Sequence, residues 1–383
     1  GSMKAAYDIP IEAPLGTWTV SIDVTDAYGN GGSGMATFAV KPAILDVDVI
    51  LSAQAYEISE TLTVSVSVSY PDGSPVATPS GSLDLSPIGA SVQLTRVGPG
   101  LLQGSYSIPS GAPKGAWSAS VEAADPHGNG GGAQASFIVK LARFSVQVVA
   151  QPSQVERLTE VTFTAQVRYP SGGPVVEAST SLEWPGGRAD MSEQAGGVYV
   201  ATFTPRADFP LGGSDFVVKV EHQDGLGEEV ISLSVSAAGL AVTPGLDREV
   251  IRAGEAVVVS AVITYPDGNE ITSGTVRAII RGEGGETLTT LAMSYDSSEG
   301  AFVTQWSTEL DVPTGIFTVE ISAQDAYGNA GNADLSLIVE PAPILAQYVN
   351  SPLAVGLTIL TVLIIAGLIT YGIRRRGSRG GGS

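Results

Sequence analysis

Any chemistry in this chain would have to come from carboxylates. Its 383 residues include 39 Asp and Glu, two His and no Cys. His127 and His222 lie 95 residues apart in unrelated local sequence, so they read neither as a zinc pair nor as a shared catalytic base. There is no thiol nucleophile, no Gly-x-Ser-x-Gly elbow and no phosphate-cradling Gly-rich loop. The chain is therefore not expected to be an enzyme or to hold an organic cofactor. Calcium is the one ligand the residue types allow. Asp46-Val47-Asp48 is the candidate, with further aspartates at 26, 72, 125, 267 and 325 in turn sequences. Calcium takes six to eight oxygens converging on one point; isolated turn aspartates more often cap backbone N–H groups.

What positions these groups can be read from two features of the whole chain. The first is at the C-terminus. From Pro352 to Ile373 there are 22 residues without a charge, followed at once by Arg374, Arg375 and Arg376. That length crosses a bilayer core of about 30 Å as a helix, and the arginines hold their end in the cytoplasm. The expectation is a transmembrane helix over 349–373, a short cytoplasmic tail over 374–383 and everything earlier outside the cell. All 39 acidic residues precede position 341, against 15 basic ones, a net charge of −24. Such a surface repels nucleic acid and anionic headgroups. An exported chain without cysteine points to a prokaryotic surface protein. The topology calls for a signal peptide that the sequence does not show. Gly1-Ser2 reads as an appended dipeptide, and the expectation is the C-terminal part of a longer precursor.

The second feature is self-similarity. Ile9-Pro10, Ala13-Pro14-Leu15-Gly16-Thr17-Trp18 and Asp26-Ala27-Tyr28-Gly29-Asn30 return as Ile108-Pro109, Ala112-Pro113-Lys114-Gly115-Ala116-Trp117 and Asp125-Pro126-His127-Gly128-Asn129. A weaker copy holds Pro210-Leu211-Gly212, Phe216 and Asp224-Gly225-Leu226-Gly227. A clear one holds Pro313-Thr314-Gly315, Phe317 and Asp325-Ala326-Tyr327-Gly328-Asn329. The aspartates 26, 125, 224 and 325 are spaced by 99, 99 and 101 residues. A front marker, Tyr70-Pro71-Asp72-Gly73, recurs only as Tyr169-Pro170-Ser171-Gly172 and Tyr265-Pro266-Asp267-Gly268. Three front markers against four rear ones leave the first module without its front half.

Thr61 to Val68 alternates strictly, 18–24, 161–167 and 317–321 do likewise, 257–263 is a comparable β-branched run, and turn signals fall every 8 to 12 residues. That pattern predicts an all-β chain of tandem immunoglobulin-like sandwiches. The expected divisions are a rear half-module over 3–41 and modules over 42–140, 141–237 and 238–341. Trp18, Trp117, Phe216 and Phe317 alternate in phase with aliphatics and should fill the cores. At the rear hairpins Asp26, Asp125, Asp224 and Asp325 should accept backbone hydrogen bonds, while Gly29, Gly128, Gly227 and Gly328 supply the positive φ of the turn. The tip residues Tyr28, His127, Leu226 and Tyr327 should contact either the neighbouring module or an outside partner. In the half-module, something should cover Tyr7, Ile9, Trp18, Val20 and Ile22.

The strings Ile-Pro-x-x-Ala-Pro-x-Gly-x-Trp and Asp-Ala-Tyr-Gly-Asn resemble the immunoglobulin-like repeats of bacterial and archaeal surface proteins, over nearly all of residues 3 to 341. A row of such repeats on a C-terminal helix is similar to archaeal surface-layer anchors and stalks. The resemblance implies a structural envelope role, with the cell membrane and other envelope or surface-layer proteins as partners; separately, Ala366 and Thr370 make a small-xxx-small pair in the expected helix, which points to self-association. It leaves open an adhesin or receptor whose binding domain lies upstream, and a filament subunit that takes up a donated strand. Neither a Leu-Pro-x-Thr-Gly nor a Pro-Gly-Phe sorting signal is present, so the helix should stay as the anchor.

Overall fold

The computed structural model describes residues 1–343, 360, 361 and 363–366. The expected anchor between Pro352 and Ile373, apart from those six helical residues, and Arg374, Arg375 and Arg376 lie outside the described residues. Among the described residues no helix is long and apolar enough to cross a membrane. The chain forms two compact units. The first comprises Gly1–Ala150, Thr162–Ala201 and Asp215–Ser232; the second comprises Gln151–Val161, Thr202–Ser214 and the described chain from Leu233.

In the first unit, β1 (Gly16–Thr25) and β2 (Gly31–Val40) form an antiparallel ribbon by themselves, paired from Gly16↔Val40 to Thr25↔Gly31. Nine further strands follow: β3 (Asp46–Leu51), β4 (Ala55–Glu57), β5 (Thr61–Ser69), β6 (Ser80–Ser86), β7 (Ala90–Gln93), β8 (Thr95–Gly98), β9 (Leu101–Ser107), β10 (Gly115–Ala124) and β11 (Gly130–Lys140). They make one sheet in the order β4-β11-β10-β6-β7 and another in the order β3-β5-β9-β8. Alternation explains the core. Leu62, Val64, Val66 and Val68 are buried on β5, and Trp117, Ala119, Val121 and Ala123 on β10, with polar or small residues between them. A second pair of sheets repeats this order, with Phe163, Ala165, Val167, Leu182, Tyr199, Phe216, Val218 and Val220 buried. Phe163 and Phe216 stack at 4.8 Å between ring centroids.

In the second unit the last sandwich is one continuous eight-stranded sheet. Strand Thr287–Asp296 pairs with Thr275–Arg281 along most of its length and with Ala301–Ser307 at its end, so it passes from one layer to the other. In the sandwich of the first unit, β7 and β8 do the same work as two short strands. The core holds Val257, Val259, Ala261, Trp306, Phe317, Val319, Ile321, Leu337 and Val339.

The ribbon departs from the sequence expectation. Trp117, Phe216 and Phe317 are at most 2% exposed, whereas Trp18 is only half-buried. Val20, Ile22 and Val24 are 44, 58 and 43% exposed, and Tyr7 is 71% exposed. The ribbon has the register of β10–β11 but, among the described residues, no second sheet lies over it.

Candidate functional site at the repeated tips

The two sequence markers meet. In each complete module the tyrosine of the Tyr-Pro-x-Gly turn donates its hydroxyl to the aspartate of the rear hairpin. Tyr70 reaches Asp125 Oδ2 at 2.8 Å, Tyr169 reaches Asp224 Oδ2 at 2.9 Å, and Tyr265 reaches Asp325 Oδ2 at 2.7 Å. Burial, then the hydrogen bond to the carboxylate, pushes each of these phenols up to about 12. Burial alone would raise Asp125 and Asp325. The asparagine amides, the tyrosine hydroxyls and backbone N–H groups outweigh it and hold both carboxyls below the usual range. The sequence displayed both motifs but not their pairing; the nearly constant separation of Tyr and Asp was the signal that could have revealed it.

The remaining bonds of the aspartate build the tip. Asp125 Oδ1 accepts from the N–H groups of His127 and Asn129, and Oδ2 accepts from Asn129 Nδ2. Asp325 does the same with Tyr327 and Asn329, and Asp26 with Tyr28 and Asn30. Gly29, Gly128 and Gly328 have φ of 84°, 88° and 88°, which only glycine takes at little cost. Asp26 receives no tyrosine among the described residues; hydrogen bonds from Asn30 and Tyr28 hold it below the usual carboxylate range.

The third hairpin is a correction. Its turn is tighter, with strands Gly212–His222 and Gly225–Ser236 separated by two residues. Gly227 lies within the second strand and has no positive φ. Glycine is needed there for a close approach: a Cβ on Gly227 would sit 2.8 Å from Val146 and 3.0 Å from Phe144. Likewise a Cβ on Gly225 would meet the Ala142 carbonyl oxygen at 2.2 Å. Asp224 keeps its tyrosine, and its own N–H donates to His222 Nδ1 at 3.2 Å.

The tip of each complete module also holds the linker at its own start or backbone of the preceding repeat. Asn129 Oδ1 accepts from Ala43 N at 2.6 Å, and Asn329 Oδ1 from Ala238 N at 2.9 Å. Beside Asn129, a cleft of about 280 Å³ separates Ile9, Ile11 and Leu15 from Tyr70 and Asp72. Both oxygens of Asp224 accept from Gly111 N at 3.0 Å, while Lys114 Nζ donates to Gln223 O at 2.9 Å. At Asn329 the contact is strongest. Arg157, 4% exposed, donates to Phe209 O, Tyr327 O and Asn329 Oδ1, and Asn329 Nδ2 donates to Ala207 O. Carbonyl oxygens thus satisfy a buried guanidinium. Arg157 was not singled out by the sequence, because nothing in its local pattern marks it.

The tip side chains themselves remain outside: Tyr28, Leu226 and Tyr327 are 92, 55 and 52% exposed, and His127 is exposed. Asp46 and Asp48 are exposed on one face of β3, opposite Ser69 and Ser67. Among the described residues no group of three or more His, Asp or Glu could hold a metal ion. Two outward carboxylates supply fewer oxygens than a calcium shell takes.

No family model matches the sequence, and no curated protein matches it. Among solved structures the chain is similar to invasin, a bacterial integrin-binding protein, with a TM-score of 0.41 and 14% identity over 78% of this chain and 60% of that one. It is also similar to the tetra-tandem repeat in the extending region of a large adhesion protein, with a TM-score of 0.37 and 17% identity over 85% and 82%. A titin I-band fragment gives a TM-score of 0.32 and 10% identity over 78% and 100%. At these values the likeness transfers no function to this chain.

Proposed function

We propose that this chain is an extracellular stalk of the cell envelope, held by its C-terminal apolar segment and spacing a surface layer or distal domain from the membrane. The observation that carries the reading is the repeated joint: Asp224 and Asn329 bind backbone of the preceding repeat, and Asn129 and Asn329 hold the linker at the start of their own module. Joints bonded in this way limit bending, and a spacer needs that property more than it needs a pocket. The uncharged run from Pro352 to Ile373 and the arginines after it support anchoring. The reading assigns no catalytic step and no bound calcium, and its partners are the membrane and other envelope proteins.

Cryo-electron tomography tests it through a length series. A strand of ten residues is about 33 Å long, so deleting residues 141–237 should bring the outer layer closer to the membrane by roughly that distance. An unchanged gap, in cells where the shortened protein is present at the surface, rules the stalk out.

A further inference from the structure

The β1–β2 ribbon is one half of an interface whose other half the molecule displays elsewhere. Its register is that of β10–β11 shifted by 99 residues: Trp18↔Phe38 matches Trp117↔Phe137, and Val24↔Gly32 matches Ala123↔Gly131. The indole of Trp18 donates to Pro14 O at 2.9 Å, as that of Trp117 does to Pro113 O at 2.8 Å. The tip is prebuilt, with Asp26 bonded to Asn30 as Asp125 is to Asn129. Among the described residues the ribbon lacks the edge strands that β10 and β11 have in β6 and β4, and it lacks a facing sheet. Val20, Ile22, Val24 and Phe38 therefore stay exposed and Trp18 half-buried, and Asp26 Oδ2 lacks the phenol that Asp125 receives from Tyr70.

We propose that this ribbon is the acceptor for a front-half sheet of the same repeat type. The partner is a polypeptide of alternating apolar strands that contains Tyr-Pro-x-Gly, whose tyrosine hydroxyl docks on Asp26. The chemistry of the occupant follows from the complete module, where β3, β5 and β9 supply the second sheet and Tyr70 closes the turn. A second copy of the ribbon fits less well. It could bury apolar surface, but it would bring another Asp26 carboxylate where a hydroxyl donor is required. The three Tyr-Pro-x-Gly tyrosines of residues 1–383 are already bonded to Asp125, Asp224 and Asp325. The occupant is therefore a sequence additional to these residues.

The experiment uses the full chain with residues 42–101 repeated ahead of Met3, compared with the unmodified chain by hydrogen exchange and light scattering. The unmodified chain should exchange freely over 16–25 and 31–40. The extended chain should slow these amides by at least ~100-fold, toward the level of 115–124 and 130–140 in the same molecule. Changing the added copy's counterpart of Tyr70 to Phe should return about tenfold of that protection. The proposal is overturned if the ribbon stays unprotected in the extended chain, or if the Phe change has no effect. Protection already present in the unmodified chain, as a monomer or at the mass of a dimer, overturns it too, the dimer showing that a second copy is the cover.

Discussion

Replacing Tyr70 by Phe removes one hydroxyl and nothing else, which makes it the sharpest test of the Tyr–Asp link. Tyr70 is 9% exposed and its hydroxyl lies 2.8 Å from Asp125 Oδ2. A hydrogen bond to a charged group contributes about 1.5–3 kcal/mol. Asp125 would keep Asn129 Nδ2 and two backbone N–H groups, so the loss should fall at the lower end, about 1–2 kcal/mol. The assay can be local, because Trp18, Trp117, Trp184 and Trp306 fall one to each repeat. In a chain keeping Trp117 alone, its fluorescence follows the unfolding of its own module in urea. With a slope of roughly 1–2 kcal/mol per molar, the midpoint should drop by about 1 M. The phenol adds a pH signature. Its ionisation in the folded state is raised from 10.0 to about 12, so the stabilisation is complete below pH 10 and is lost as pH rises toward 12. The Phe variant should lack that contribution to the alkaline decline. An unchanged midpoint at neutral pH together with an unchanged alkaline profile would refute the link.

Other outcomes follow from the same geometry. Asp125 and Asp325 titrate below the usual carboxylate range when folded, so their contribution is full above pH 3.8 and disappears as pH falls through the lower folded value; acid unfolding of single-tryptophan chains should show it, and Asp125→Asn should abolish it in its module. Gly131→Ala would place a Cβ 2.1 Å from the Leu45 carbonyl oxygen. Because backbone cannot yield cheaply there, the Trp117-reported stability should fall by about 2 kcal/mol or more, with faster exchange of the Leu45 amide. Arg157→Leu should deprive Phe209 O and Tyr327 O of their donor and speed exchange at Ala238, while the Trp117 transition stays where it was.

Much of the fold was legible because strand alternation is a local property. Thr61 to Ser69 buries every second residue as its sequence alternates, and the same holds for Val161–Arg168. What joins those strands was not legible, because it depends on residues 55 or 60 positions apart. Tyr-Pro-Asp-Gly and Asp-Pro-His-Gly-Asn could be seen as two turns, but the phenol–carboxylate bond between them required the register of the sandwich. Gly227 shows the opposite failure. Its alignment with Gly128 suggested a shared φ, yet the shortened hairpin moved it into a strand, where close approach of Phe144 and Val146 demands a glycine instead. Asp46 and Asp48 were grouped by adjacency in sequence, and β3 turns both toward solvent.

The tip also couples the fold of a module to its joint, and Asn129 is where the two meet. Its Nδ2 donates to Asp125 Oδ2, which fixes its Oδ1 to accept from Ala43 N. A continuous run of hydrogen bonds therefore leads from Tyr70 through Asp125 and Asn129 to the linker, with the asparagine 5% exposed. Asn329 repeats the run with Tyr265, Asp325 and Ala238, and is fully buried. Asn30, bonded to Asp26 in the same way, meets no linker among the described residues and is exposed. Burial of the asparagine thus tracks engagement of the joint rather than formation of the turn. Asn129→Ala should accordingly separate the two functions. The turn retains Tyr70 on Asp125 and the backbone donors, so the module should lose only about 1 kcal/mol. The Ala43 amide, left without its acceptor, should exchange ten times faster or more. Tyr70→Phe should show the reverse ratio, a larger loss for the module than for the linker. If both substitutions moved the Trp117 midpoint and the Ala43 amide in the same proportion, turn and joint would be a single cooperative element, and a stalk built from them could not bend without unfolding.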